Sequence, residues 1–151
     1  MLRRFLMISL VLTLVTACAR PGGVLVSDTA ETLGGNLFIE TAEDGGQFLV
    51  LDGAITAQTS FTFQALVEQS EIEGLVIAQS PGGNLLASHQ IGRAIKRMGM
   101  NTVVLISCIS ACVDIFVAGD RREMTEISEL GLHSATDREV SLAIDLSLIH
   151  I

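Results

Sequence analysis

Gly74-Leu75-Val76-Ile77-Ala78, followed by Gln79-Ser80-Pro81-Gly82-Gly83 and then the stretch from Asn84 to Met98, decides the fold of this chain. The first segment is a short, unbroken apolar run, the pattern of a strand buried on both faces. Ser80-Pro81-Gly82-Gly83 breaks it, because proline removes a backbone donor and glycine opens turn conformations closed to other residues. Asn84 to Met98 then reads as an amphipathic helix, with Gly99 placed to end it as a left-handed C′ residue. A buried strand feeding directly into a helix is the first half of a parallel β-α-β unit.

The same alternation extends in both directions. Upstream, Phe48-Leu49-Val50-Leu51 reads as a strand closed by Asp52-Gly53, and Ser60 to Gln69 as a helix with Phe63, Leu66 and Val67 at helical spacing. Downstream, Thr102 to Ile106 is a third strand. Ser110 to Ala118 is a largely apolar helix ended by Gly119, and short strands are expected at Glu123–Thr125 and Leu130–His133. The fold class is therefore α/β. Before residue 47 the pattern loosens. Pro21 and the glycine pairs at 22–23, 34–35 and 45–46 predict a tether and loose edge structure over 18–46, with Leu37-Phe38-Ile39 as a short strand, and the main domain is assigned to 47–151.

The chain has 151 residues, 49% of them hydrophobic, enough to bury the core of one domain. With no Trp and no Tyr, that core must come from aliphatic residues and Phe. A net charge of −8 argues against nucleic acid as a partner, since phosphate backbones reward clustered Lys and Arg. No zinc spacing, phosphate-binding loop or dinucleotide fingerprint is present, so no metal and no cofactor is expected.

Residues 1–17 read as an export signal: Arg3 and Arg4, then an apolar stretch from Phe5 to Val15, too short for a comfortable membrane span. Val15-Thr16-Ala17-Cys18 resembles the bacterial lipobox. That resemblance implies acylation of Cys18 and a lipid anchor facing the periplasm. Ala19, rather than an Asp, follows the cysteine, which implies the outer membrane. With Cys18 lipidated, Cys108 and Cys112 remain in an oxidising compartment where a disulfide persists. Their spacing across a strand-to-helix turn leaves two readings open, one bridge or two small buried thiols.

Three segments carry candidate chemistry. Ser80-Pro81-Gly82-Gly83 lies at a strand end and a helix start, where backbone N–H groups and the helix terminus can seat a developing oxyanion; an ordinary turn is the plainer reading. Cys108-Ile109-Ser110-Ala111-Cys112 occupies the equivalent place on the next unit, where Ser110 is either a helix N-cap or a nucleophile with the Ala111 N–H beside it. Leu130-Gly131-Leu132-His133 brings a histidine to a strand end, and imidazole is the usual base for a serine hydroxyl.

In order and spacing these three segments resemble the proteolytic subunit of Clp protease. Cys108-Ile109-Ser110-Ala111-Cys112, Ala118-Gly119, Arg121-Arg122 and Leu130-Gly131-Leu132-His133 are similar to a narrower group of periplasmic Clp-type proteins. The resemblance covers about residues 47–135. It implies a spiral of β-β-α units shared with the crotonases, with Ser110 as nucleophile and His133 as general base. It further implies an oxyanion hole from the N–H groups of Gly83 and Ala111, turn support from Gly82, a peptide or protein substrate, and a homo-oligomer.

The resemblance also predicts an acid downstream of the histidine, whose loss can cost about 10⁴ in rate. Asp137 and Asp145 are the aspartates of the tail, and neither matches the family position. This, with a final segment that completes no further unit, leads to the expectation of a C-terminally truncated domain, in which His150 is discounted. Lys96, the sole lysine, would serve a Ser–Lys dyad but falls roughly 20 Å along its helix from the oxyanion turn at about 1.5 Å per residue. His89 is expected to be a surface polar residue. Two other functions share these features: a non-catalytic scaffold of the same fold, and a crotonase-type thioester hydrolase.

Overall fold

A computed structural model describes residues 26–27, 29–68 and 71–133. The signal segment, Cys18, Asp137, Asp145 and His150 lie outside the described residues. The element order is β1 (Glu31–Gly34), β2 (Leu37–Thr41), β3 (Gln47–Asp52), α1 (Ala57–Val67), β4 (Ile72–Ser80), α2 (Leu85–Met98), β5 (Asn101–Ile109), α3 (Cys112–Val117), β6 (Arg122–Met124) and β7 (Glu129–Gly131). The strands form one sheet in the order β1-β2-β3-β4-β5-β6, with β7 also pairing β5. β6 runs along Thr102–Val104 of β5 and β7 along Ser107–Ile109, so the two share one edge.

From β3 onward the sheet is parallel, joined through helices as the alternation of apolar runs and amphipathic segments predicts. Alternate strand residues explain the layering. Leu49 and Leu51 of β3, Leu75 and Ile77 of β4, and Val104 and Cys108 of β5 point to one face and pack with Phe63, Ile91, Ile95 and Ile115 from the three helices. Phe38, Val50 and Ala78 point to the other face, where a smaller cluster forms with Ala30.

The two long strands extend beyond their apolar cores, β4 by two residues at each end of the expected 74–78 run and β5 to Ile109. Helix α2 matches its reading: Asn84 Oδ1 accepts from Ala87 N–H at 2.9 Å, and Gly99 ends it at φ 65°. Helix α1 begins earlier than expected. Thr56 caps it, accepting from Thr59 N–H at 3.2 Å while Thr59 Oγ1 accepts from Thr56 N–H at 2.9 Å, a reciprocal pair built on threonine instead of glutamate.

The clearest departure lies before residue 47. Instead of loose edge structure, β1 and β2 form an antiparallel hairpin that extends the sheet, with Leu37 and Phe38 buried. Gly34 pairs with Leu37, and the two residues between, Gly35 and Asn36, have φ of 64° and 62°. That is the geometry of a type I′ turn, whose twist suits a two-residue hairpin. The hairpin is pinned to the helical layer by Thr59 Oγ1, which donates to Gly35 O at 2.5 Å.

Packing of this density makes core truncation costly. Ile77→Ala, at a fully buried position of β4, is expected to lower stability by about 2–5 kcal/mol in urea unfolding. Phe61→Ala, at a position 71% exposed, should shift it by no more than about 0.5 kcal/mol.

Candidate functional site

The three predicted segments converge at the C-terminal ends of β4 and β5. Ser110 does not start the helix. Strand β5 ends at Ile109, α3 begins at Cys112, and the cap position falls to Ala111 with no side-chain hydrogen bond. Ser110 itself has φ 57°, in the left-handed region that side-chain-bearing residues rarely enter. The structure therefore rejects the N-cap reading of Ser110 and puts the residue on a sharp, strained turn between strand and helix, where it is only half-buried. Such strain persists only where surrounding contacts over-determine it.

Those contacts are specific. Ser110 N–H donates to Gly131 O at 2.7 Å, the last residue of β7. Gly82 is packed against the same turn: a Cβ built there would lie 2.5 Å from Ile109 O, 2.8 Å from Ser110 Cβ and 3.0 Å from Ala111 N. With φ of 85° at Gly82 as well, no other residue fits this place without moving the serine. Cys108 and Cys112 are bridged, with Cα atoms 5.3 Å apart, and both are fully buried. Of the two readings left open by the sequence, the structure has the disulfide.

The glycine turn is held from its own side too. Ser80 is fully buried and its Oγ accepts from Gly82 N–H at 3.2 Å. Gly83, at φ 144°, forms a bridge with Ile55 of the β3–α1 connection. The hydrogen bonds of that bridge run from Ile55 N–H to Gly82 O and from Asn84 N–H to Ile55 O, each 2.8 Å, so the N–H of Gly83 is not consumed by it. The sequence places Ser80 in this turn without assigning it a role, and it does not single out Ile55. A serine two residues before a glycine is a local turn signal that was available for the first; Ile55 reaches Gly83 only through tertiary structure.

His133 is exposed and lies two residues beyond Gly131, the residue bonded to Ser110. The topology thus brings Ser110, Ala111, Gly82, Gly83 and the end of β7 to one rim of the sheet, with His133 two residues beyond that end. Lys96 is elsewhere. It lines a shallow cleft between α2 and α3 with His89, Arg93 and Asp114. His89 is more engaged than a bare surface residue: its Nε2 lies 3.1 Å from Asp114 Oδ2, an oxygen otherwise buried without a partner, and so ties α2 to α3. Among the described residues no cluster of three metal-ligating side chains occurs.

The chain matches no protein-family model and no curated protein. Its shape is similar to solved structures. A protein described as an enoyl-CoA hydratase from Thermoplasma volcanium GSS1 aligns with TM-score 0.52 and 15% identity over 65% of this chain and 51% of that one. Another, from Streptomyces coelicolor A3(2), aligns with TM-score 0.50 and 17% identity over 72% and 52%. A membrane-bound stomatin-specific protease aligns at 0.45 and 21% over 54% and 44%. The chain spans about half the length of the structures it resembles. In architecture, the chain shares the α/β fold of these enoyl-CoA hydratase structures.

Proposed function

We propose that this chain is a cell-envelope serine hydrolase of Clp type that cleaves peptide bonds through an acyl-enzyme on Ser110. One observation carries the reading: a serine, not a glycine or asparagine, occupies a left-handed turn with φ 57°, beside a glycine that has no room for a side chain. Serine gains nothing structural there, since it does not cap the helix. Ala111 N lies beside the Gly82-Gly83 turn, 3.0 Å from where a Cβ on Gly82 would sit, so its N–H adjoins the same turn as the hydroxyl-bearing Ser110.

The chemistry then follows from the roles of the groups. Ser110 Oγ attacks the carbonyl carbon of the scissile bond as its proton passes to the imidazole of His133. The N–H groups of Gly83 and Ala111 stabilise the oxyanion of the tetrahedral intermediate, an effect that grows as charge develops and so lowers the barrier rather than merely aiding binding. The amine leaves with the proton from His133. Water, activated by the same imidazole, resolves the ester and restores Ser110. A crotonase-type thioester hydrolase would use the same pair of N–H groups but would have no need of a nucleophile at residue 110. The strained serine favours the peptidase. A non-catalytic scaffold of this fold has no use for that strain either.

The envelope location rests on the signal-like residues 1–17 and on Cys18, which we propose is lipidated and anchors the domain to a membrane facing the periplasm, the outer membrane by preference. Homo-oligomerisation is proposed on family resemblance.

Three outcomes test these statements. A labelled fluorophosphonate should modify the exported protein and leave Ser110→Ala unmodified; equal labelling of both, or of neither, refutes Ser110 as nucleophile. Gly82→Ala, judged folded by circular dichroism, should label roughly 100-fold more slowly, the order of loss expected when a reacting group is displaced by about 1 Å. Cys18→Ser should move the protein from the membrane fraction to the soluble fraction, and an unchanged distribution would reject the lipid anchor.

A further inference from the structure

The disulfide spans a turn where the backbone is held against its own preference, at Ser110 with φ 57°. Serine is among the best N-cap residues, and with an extended backbone its hydroxyl would accept an N–H from the first turn of the helix. In the structure Ser110 instead sits at φ 57°, and Ala111 takes the cap position without a side-chain bond. Two of the contacts that oppose relaxation are non-covalent: the Ser110 N–H to Gly131 O bond at 2.7 Å and the close approach of Gly82. The Cys108–Cys112 bridge is different in kind. Its ends lie on the two arms of the turn, Cys108 within β5 and Cys112 at the first position of α3. It closes a small covalent ring with Ser110 at the middle, opposite the sulfurs. A ring of that size restricts how far the arms can separate or rotate.

We propose that the Cys108–Cys112 disulfide is a positioning element for Ser110, bracing the strand-to-helix turn so that the serine stays in the left-handed conformation and out of the N-cap geometry. This rests on the serine-hydrolase reading and deepens it. Both cysteines are 0% exposed. A thiol must reach a sulfur in order to exchange with it, so the bridge acts as a fixed brace and not as a switch that small reductants can throw in the folded protein. It forms by exchange with an acceptor disulfide: the two protein thiols give up two protons and two electrons, the bridge closes, and the acceptor leaves as a dithiol. An oxidising compartment supplies such acceptors.

The test compares Cys108→Ala/Cys112→Ala with wild type and with Leu75→Ala, a core truncation near the opposite end of β4 that lowers stability without touching the turn. Each protein is measured at a temperature where circular dichroism shows it folded. Two quantities are read: the rate of fluorophosphonate labelling, and the HN–Hα scalar coupling of Ser110, which distinguishes a left-handed from an extended or helical φ. The cysteine variant should label roughly 10- to 100-fold more slowly with a changed coupling, while Leu75→Ala labels at the wild-type rate. A cysteine variant with wild-type labelling and an unchanged coupling overturns the proposal and leaves the bridge a purely structural link. If wild type itself is not labelled, the hydrolase reading fails. The coupling alone then decides the brace, unchanged against it and changed in its favour. Should the alanine pair not fold, Cys108→Val/Cys112→Ala restores most of the lost volume and carries the same comparison.

Discussion

Gly82 approaches the turn before α3 so closely that a single added carbon would lie 2.5 Å from Ile109 O and 2.8 Å from Ser110 Cβ. Two strand-to-helix turns, each at the end of a neighbouring parallel strand, are thereby pressed backbone to backbone. Parallel strands lie about 4.8 Å apart, and their turns normally diverge to make room for side chains. Here the space is closed by having no side chain at residue 82, and everything proposed for the site depends on that contact. It keeps the glycine turn against Ala111 N, 3.0 Å from where a Cβ on Gly82 would sit. It also blocks the path by which Ser110 would swing back toward a relaxed conformation.

The glycine turn is in turn supported from far off in sequence. Asn36, in the hairpin turn at φ 62°, donates from Nδ2 to Ala54 O at 2.7 Å. The next residue, Ile55, bridges Gly83. Gly53 N–H donates to Gln79 O at 2.8 Å alongside. The hairpin, the β3–α1 connection and the Gly82-Gly83 turn are thus stitched in series by backbone and amide hydrogen bonds. The β1–β2 hairpin stands at the far edge of the sheet from Ser110, yet it is part of what fixes the site.

Much of this was legible in the sequence, for identifiable reasons. Leu49, Ile77 and Val104 sit in short apolar runs, and α2 carries both its cap, Asn84, and its stop, Gly99, so these elements declare themselves locally. The hairpin was obscured because Gly34-Gly35 was read as loosening the chain. Followed by Asn36, the pair supplies the two positive-φ residues a tight hairpin needs. The start of helix α1 is hard to see locally because its reciprocal cap uses Thr59 where glutamate is the familiar partner. The candidate site was legible as a set of residues but not as a conformation. Composition alone offered Ser110 the choice between capping a helix and standing on a strained turn, and the contacts that hold it on the turn come from Gly82 and Gly131, both distant in sequence. The Ile55–Gly83 bridge and the His89–Asp114 pair depend on tertiary packing and have no local sequence signature.

Helices α1 and α2 both open at the rim where Ser110 stands, and neither has an acidic residue in its first turn. The chain as a whole carries a net charge of −8. Two fields therefore meet at the rim: a negative one from the net charge of the chain, and a local positive one from the oriented peptide dipoles of these two helix ends, whereas α3 carries Asp114 in its first turn. Salt screens the outer field over roughly 8–10 Å, while the local one acts only within a few ångströms of the turns. A neutral amide drawing near feels little of either. An oxygen that acquires charge only after it has arrived feels the inner field in full. The arrangement discriminates by when a charge appears and not by whether the ligand carries one. That suits a site whose negative species is transient, and suits poorly the retention of a permanent anion.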